Sequence, residues 1–202
     1  MKVTDKIKCV DFLCRDVDKN SYIVPQVDID LEKTKILMIT EAPPGDKADY
    51  FYAAGNPFYL ETTVQAFRDA GAKVKSMQDI LDLGVYITTA IKCGKTQYAI
   101  SPETMGNCAK LLEREMALFP NVKAIILGGD AAIKMMNAIW KKQTGKRVIP
   151  AGSTYKIRGQ AYYTGEKRVF PSYTPAGKNF LIEKSKRKMV AEDIQEALKL
   201  IR

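Results

Sequence analysis

Histidine is missing from this chain altogether. That removes the commonest general base, the commonest proton donor at neutral pH and the commonest zinc ligand. Any chemistry here must run on carboxylates, hydroxyls, amides, backbone groups or thiolates. No apolar run approaches the roughly eighteen residues of a membrane span. The opening Met1-Lys2-Val3-Thr4-Asp5-Lys6 is too polar for a signal peptide, so a cytoplasmic protein with no membrane partner is expected. Low-complexity tracts and internal repeats are also missing. Acids are in short supply: 23 Asp and Glu stand against 32 Lys and Arg, a net charge of +9. The 202 residues, 46% of them hydrophobic, suffice for one domain with a full core. The expectation is a single domain over 1–202, acting as a monomer.

The cations are unevenly spread. Between 141 and 170 lie eight Lys or Arg against one acid, Glu166. Clustered cations near Tyr155, Tyr162 and Tyr163 can neutralise phosphates and release counterions, which favours a nucleic-acid partner; a solvated basic hairpin is the plainer reading. Lys141, Lys142, Lys146 and Arg147 are the candidate DNA contacts, with Lys178 further on.

Apolar runs and helical spacings alternate along the chain. Residues 1–34 form an N-terminal flap, with a short helix expected over Lys6–Val17. Ile36 to Thr40 reads as a buried strand, Tyr59 to Ala70 as a helix closed by Gly71, and Val85 to Ile91 as a second strand. Ser101-Pro102 caps the next helix. Val122 to Leu127 makes a third strand, turning at Gly128-Gly129 into a helix from Asp130 to Lys142. Thr154–Arg158 and Ala161–Thr164 read as a basic hairpin, Arg168–Tyr173 as the last core strand, and Val190, Ile194, Ala197, Leu198 and Ile201 as the inner face of a final helix. Alternating strands and helices imply an α/β three-layer sandwich around a central, mostly parallel sheet.

The strand Ile36–Thr40 empties into Glu41-Ala42-Pro43-Pro44-Gly45. The prolines cannot continue a ladder, and a carboxylate at the carboxyl end of a buried strand stands where open α/β folds place their chemistry. The plainer alternative is that Glu41 simply caps a neighbouring helix or pairs with Lys92. Three more segments follow strands: Ile87-Thr88-Thr89-Ala90-Ile91-Lys92-Cys93, Leu127-Gly128-Gly129-Asp130, and Ser172-Tyr173-Thr174-Pro175-Ala176. A small-molecule enzyme binding an anion at Gly128-Gly129 is one reading of these loops.

Together these segments, with Gly55-Asn56-Pro57-Phe58, resemble the uracil-DNA glycosylase superfamily, nearest to its iron–sulfur family 4 branch. That branch carries Gly-Glu-Ala-Pro-Gly, Gly-x-Pro-Phe, Tyr-Ile-Thr-Asn-x-x-Lys-Cys, Leu-Gly-x-x-Ala and Thr-Tyr-His-Pro-Ala. The resemblance implies a DNA glycosylase hydrolysing the N-glycosidic bond of uracil or a related damaged base, or an inert nucleic-acid-binding homologue. It implies that Glu41 orients water, with Asp46 or Asp49 matching the downstream acids. Ala42, Pro43, Phe58 and Thr89 would hold the base, Phe58 by stacking. Thr89 stands where the family has its base-reading asparagine, and Thr174 where it has its leaving-group histidine. One hydroxyl cannot make the asparagine's two-point contact. Cys9, Cys14, Cys93 and Cys108 fall in the four regions that supply [4Fe–4S] ligands, although the first pair is Cys-x4-Cys rather than Cys-x-x-Cys. They can hold such a cluster or be buried as small hydrophobes.

Overall fold

The computed structural model describes residues 1–11 and 13–201. Its strands are β1 (Val17–Asp18), β2 (Ile36–Thr40), β3 (Val85–Thr89), β4 (Gly94–Lys95), β5 (Ala124–Gly128), β6 (Tyr162–Thr164) and β7 (Lys167–Ser172). Its α-helices are α1 (Phe58–Asp69), α2 (Met77–Asp82), α3 (Pro102–Met116), α4 (Asp130–Thr144), α5 (Thr154–Ile157), α6 (Lys178–Ile182) and α7 (Lys184–Lys199). Five strands form one sheet in the order β3-β2-β5-β7-β6, parallel except for β6, while β1 and β4 pair separately as a short antiparallel ladder. None of the described helices is long and apolar enough to cross a membrane.

Every residue of β2, β3 and β5 is buried because helices cover both faces of the sheet. Alternation splits the core into two layers. Leu37, Ile39, Ile125 and Leu127 pack with Leu111 and Leu112 of α3 and Met135, Met136 and Ile139 of α4. Ile36, Met38, Val85 and Ile87 pack with Val64 and Phe67 of α1, Ile80 of α2, and Val190 and Ile194 of α7. The expected three-layer sandwich is the observed one.

Local signals set the helix ends. Ser101 Oγ accepts the Thr104 N–H at 3.2 Å with Pro102 at the first helical position, and Gly71 follows α1 at φ +85°. The sequence reading passed over α2, although its capping box, Ser76 with Asp79, is legible in the sequence. At the sheet edge, the Tyr52 hydroxyl accepts the Ile87 N–H at 3.1 Å and donates to the Ile87 carbonyl at 2.8 Å, standing in for a missing strand.

Two expectations are corrected. The described residues of Lys6–Val17 form no helix: after a 3-10 turn at Val3–Asp5, the described residues before β1 are irregular. Cys9 and Cys14 both turn into one cavity, whereas five residues apart on a helix they would diverge by about 140°. Val10 and Leu13, which the expected helix would turn to one side with Ile7, Cys14 and Val17, are exposed. The second correction concerns Thr154–Arg158, which is helical rather than a strand; the hairpin is β6–β7, turning at Gly165 with φ +58°. Arg158 reaches α7, donating to Asp193 Oδ1 at 2.7 Å, Glu192 Oε2 at 3.0 Å and the Met189 carbonyl at 2.8 Å. Arg168 donates to the carbonyls of Tyr162, Val169 and Gln160. Two of the region's eight cations therefore hold the fold together.

Lys92 and Glu115 form an ion pair with both side chains 1% exposed. Lys92 Nζ also donates to Thr88 Oγ1 at 2.8 Å and the Thr89 carbonyl at 2.6 Å, while Glu115 Oε1 accepts from Tyr86 at 2.6 Å and Thr88 at 2.8 Å. Such a network is stable only while complete. Lys92→Met should cost about 3–5 kcal/mol by stranding the carboxylate. The K92M/E115Q variant, in which Gln still accepts from Tyr86 and Thr88, should lose less in chemical denaturation than K92M alone.

Candidate active site

The parallel strands end level with one another. Thr40 pairs with Thr89 on one side and Gly128 on the other, and Gly128 pairs with Ser172. The segments that leave β2, β5 and β7 meet above that edge around a cleft of about 720 Å³. Its walls include Glu41 to Gly45, Gly129, Asp130, Tyr173, Thr174 and the start of α6, with Tyr59, Lys95 and Tyr98 from elsewhere.

Glu41 is held at both carboxylate oxygens. Oε1 accepts the Ala131 N–H at 3.1 Å, at the amino end of α4, and Oε2 accepts from Lys95 Nζ at 2.9 Å. Helix capping and a lysine partner were the structural alternatives to catalysis, and both occur, but the lysine is Lys95 because Lys92 is committed to Glu115. A Cβ on Gly129, at φ +108°, would stand 2.7 Å from Glu41 Cγ and Oε1. Glycine there lets the carboxylate lie against the helix start. The Thr174 hydroxyl donates to the Gly128 carbonyl at 2.9 Å, so its proton is in use.

The sequence pattern of the uracil DNA glycosylase superfamily matches residues 28–198. This chain belongs to that superfamily. It is also similar to a type-5 uracil-DNA glycosylase of Thermus thermophilus, 25% identical over 122 residues, which cover 60% of this chain and 53% of the relative. The chain thus spans about half the length of the curated relative it matches.

Among the residues that the glycosylase resemblance singled out, Glu41, Ala42, Pro43 and Thr174 line the cleft, as does Lys178 of the candidate DNA contacts. Phe58 is half-buried at the first position of α1 and is not part of the lining, whereas its neighbour Tyr59, about 100° further round the helix, is. Tyr59 packs against Phe51 with ring centroids 5.4 Å apart, and a Cβ on Gly177 would lie 3.5 Å from its ring. Burial, with the nearby charges of Asp49 and Glu41, pushes the Tyr59 hydroxyl's pKa up. Thr89 is wholly buried, its hydroxyl without a hydrogen-bond partner, and does not reach the cleft. Tyr50 and Phe51 are core residues, each 0% exposed. Asp46 caps a 3-10 turn through the Ala48 N–H at 2.9 Å, and Asp49 accepts the Phe58 N–H at 3.4 Å. Lys141 and Lys142 lie near the far end of α4, about 16 Å or more from its start beside the cleft at ~1.5 Å per residue, and neither they nor Lys146 and Arg147, which follow the helix, are part of the lining. Sequence reasoning missed Tyr59, Lys95, Tyr98, Asn179 and Lys186; none sits in a motif that would mark it.

The four cysteines, all free, line a second, small cavity with Val17, Lys19, Tyr22, Lys92 and Leu111. Burial, reinforced by the neighbouring thiols, pushes the Cys93 thiol up to about 12, and burial also raises that of Cys108. Among the described residues no three His, Cys, Asp or Glu are grouped to hold a single metal ion. A [4Fe–4S] cluster asks something different, one thiolate for each of four irons. Four thiols from three segments around one apolar cavity fit that donor set.

Gly129→Ala should destabilise the protein by about 1–3 kcal/mol through backbone strain, measured by thermal or chemical unfolding, and a crystal structure of the variant should show the Glu41 carboxylate swung off the Ala131 N–H.

Proposed function

We propose that the cleft hydrolyses the N-glycosidic bond of uracil or a related deaminated base in DNA, the first step of base excision repair. The observation that carries this reading is Glu41, a carboxylate anchored to a helix amino end and to Lys95 at the wall of a cleft roomy enough for a nucleotide. Cleavage passes through a cation-like sugar and a departing base anion. Glu41, fixed at both oxygens, keeps lone pairs for orienting water and stabilises the positive sugar. The base must leave the stack to reach it, and the Tyr59 ring offers a face within the cleft.

Without histidine, the departing base needs another donor. Thr174 does not supply it, since its proton is spent on Gly128. The Lys95 ammonium, which has N–H groups to spare beyond the one given to Glu41, is a donor placed in the cleft. Preorganised donors of this kind are worth ~10²–10³ in rate. Incubation with single-stranded and duplex oligonucleotides carrying uracil, hypoxanthine or xanthine should yield abasic product from at least one. Glu41→Gln should lower that rate about 100-fold or more. No abasic product from any substrate refutes the proposal.

The same reading assigns Cys9, Cys14, Cys93 and Cys108 as ligands of a [4Fe–4S] cluster, which would tie the flap to the segment after β3 and to α3. Protein purified without air should be brown, absorb near about 400 nm and contain iron, and Cys108→Ser should lose both signals. Colourless, iron-free protein from the same preparation removes the cluster.

A further inference from the structure

The mouth of the cleft carries aromatic rings that its floor does not need. Tyr98 sits in an exposed run, Lys95 to Ala99, and is itself 99% exposed while lining the cleft. Single exposed rings are common; its surroundings distinguish this one. Lys95 Nζ lies 6.0 Å from its ring centre, and Lys186 Nζ lies 5.2 Å from that of Tyr173, which also lines the cleft. The other lining rings are less open: Tyr59 packs against Phe51, and Phe180 is buried, with the Arg187 guanidinium 5.6 Å from its ring centre. The charges are largely matched, Lys95 with Glu41 at 2.9 Å and Lys186 with Glu183 at 2.7 Å. Phosphate attraction is correspondingly weak here, and exposed ring surface is the larger resource.

We infer that the cleft mouth is a stacking platform for unpaired DNA, on which Tyr98 takes the base next to the one held inside. This rests on the glycosylase reading of the same cleft. In a duplex the flanking base stays paired to its complement and stacked on its other neighbour even when the target base is flipped out, so it cannot turn out of the helix onto a ring at the mouth. In a single strand the flanking base is free to turn onto the ring. A single-stranded target also spares the cost of unpairing the base that enters. Stacking of this kind tolerates any base identity, so the platform selects the state of the strand and leaves base choice to the interior.

The test is binding of a fluorescein-labelled oligonucleotide with a central tetrahydrofuran abasic analogue, single-stranded and annealed to its complement. Wild-type protein should favour the single strand. Tyr98→Ala should weaken single-strand binding about tenfold and compress the ratio between the two forms, Tyr98→Phe should preserve it, and Tyr155→Ala, an exposed ring that is not part of the lining, should leave the ratio unchanged. Duplex bound as tightly as single strand, or Tyr98→Ala weakening both forms equally, overturns the inference. Abasic product formed from duplex under those outcomes leaves the glycosylase reading standing. A Tyr98-dependent single-strand preference with no product from any base supports the platform and refutes the hydrolysis.

Discussion

Thr40, Thr89, Gly128 and Ser172 stand side by side at the carboxyl edge of the sheet, because parallel strands in register must end together. Every wall of the cleft that comes from a strand end depends on that register. The sheet's apolar interior sets it, since a one-residue slip would turn Ile39 and Leu127 away from the helices that cover them. Beyond the edge the chain cannot stay in the ladder: Pro43 and Pro44 force it out after β2, Gly129 turns it into α4 and Pro175 ends the run after β7. The cleft is the space these three departures leave.

Glu41 shows how such a space becomes chemical. Its carboxylate needs partners that hold it still, and it finds one in backbone, at the start of α4, and one in side chain, on β4. Both contacts are relayed by glycine and strand geometry rather than by a dense polar network. The dense network lies underneath, where Lys92 and Glu115 knit β3 to α3 and leave Lys95 as the lysine that pairs with Glu41. Two lysines three residues apart thus have unlike fates, one sealed in the core and one presented to the cleft.

The flap extends this logic. β4 carries Lys95 and pairs with β1, which follows the segment bearing Cys9 and Cys14, while Cys93 immediately precedes β4. Asp16 adds a clasp, accepting the Ser101 N–H at 2.6 Å and the Thr104 hydroxyl at the start of α3. Whatever holds the thiol cavity together therefore also steadies the strand that delivers a cation to Glu41.

Patterns with a short physical range were legible in the chain: the buried strand runs, the serine and glycine helix boundaries, the prolines after β2, and Glu41 at its strand end. So was the superfamily, because its motifs are the strand-end segments themselves. Which of two neighbouring rings enters the cleft was not legible, since Phe58 and Tyr59 differ by one step of helical rotation and only packing against Phe51 and Gly177 decides it. Thr89 looked like a pocket residue by its position, yet it is wholly buried and outside the cleft's lining. Charge density pointed to 141–170, but α4 carries Lys141 and Lys142 away from the site and α7 claims Arg158. Local sequence determined where strands end and where a carboxylate emerges, because those follow from backbone chemistry within a few residues. Tertiary structure alone decided which side chains share the cleft, because helix rotation, layer coverage and long-range ion pairing depend on residues far apart in the chain.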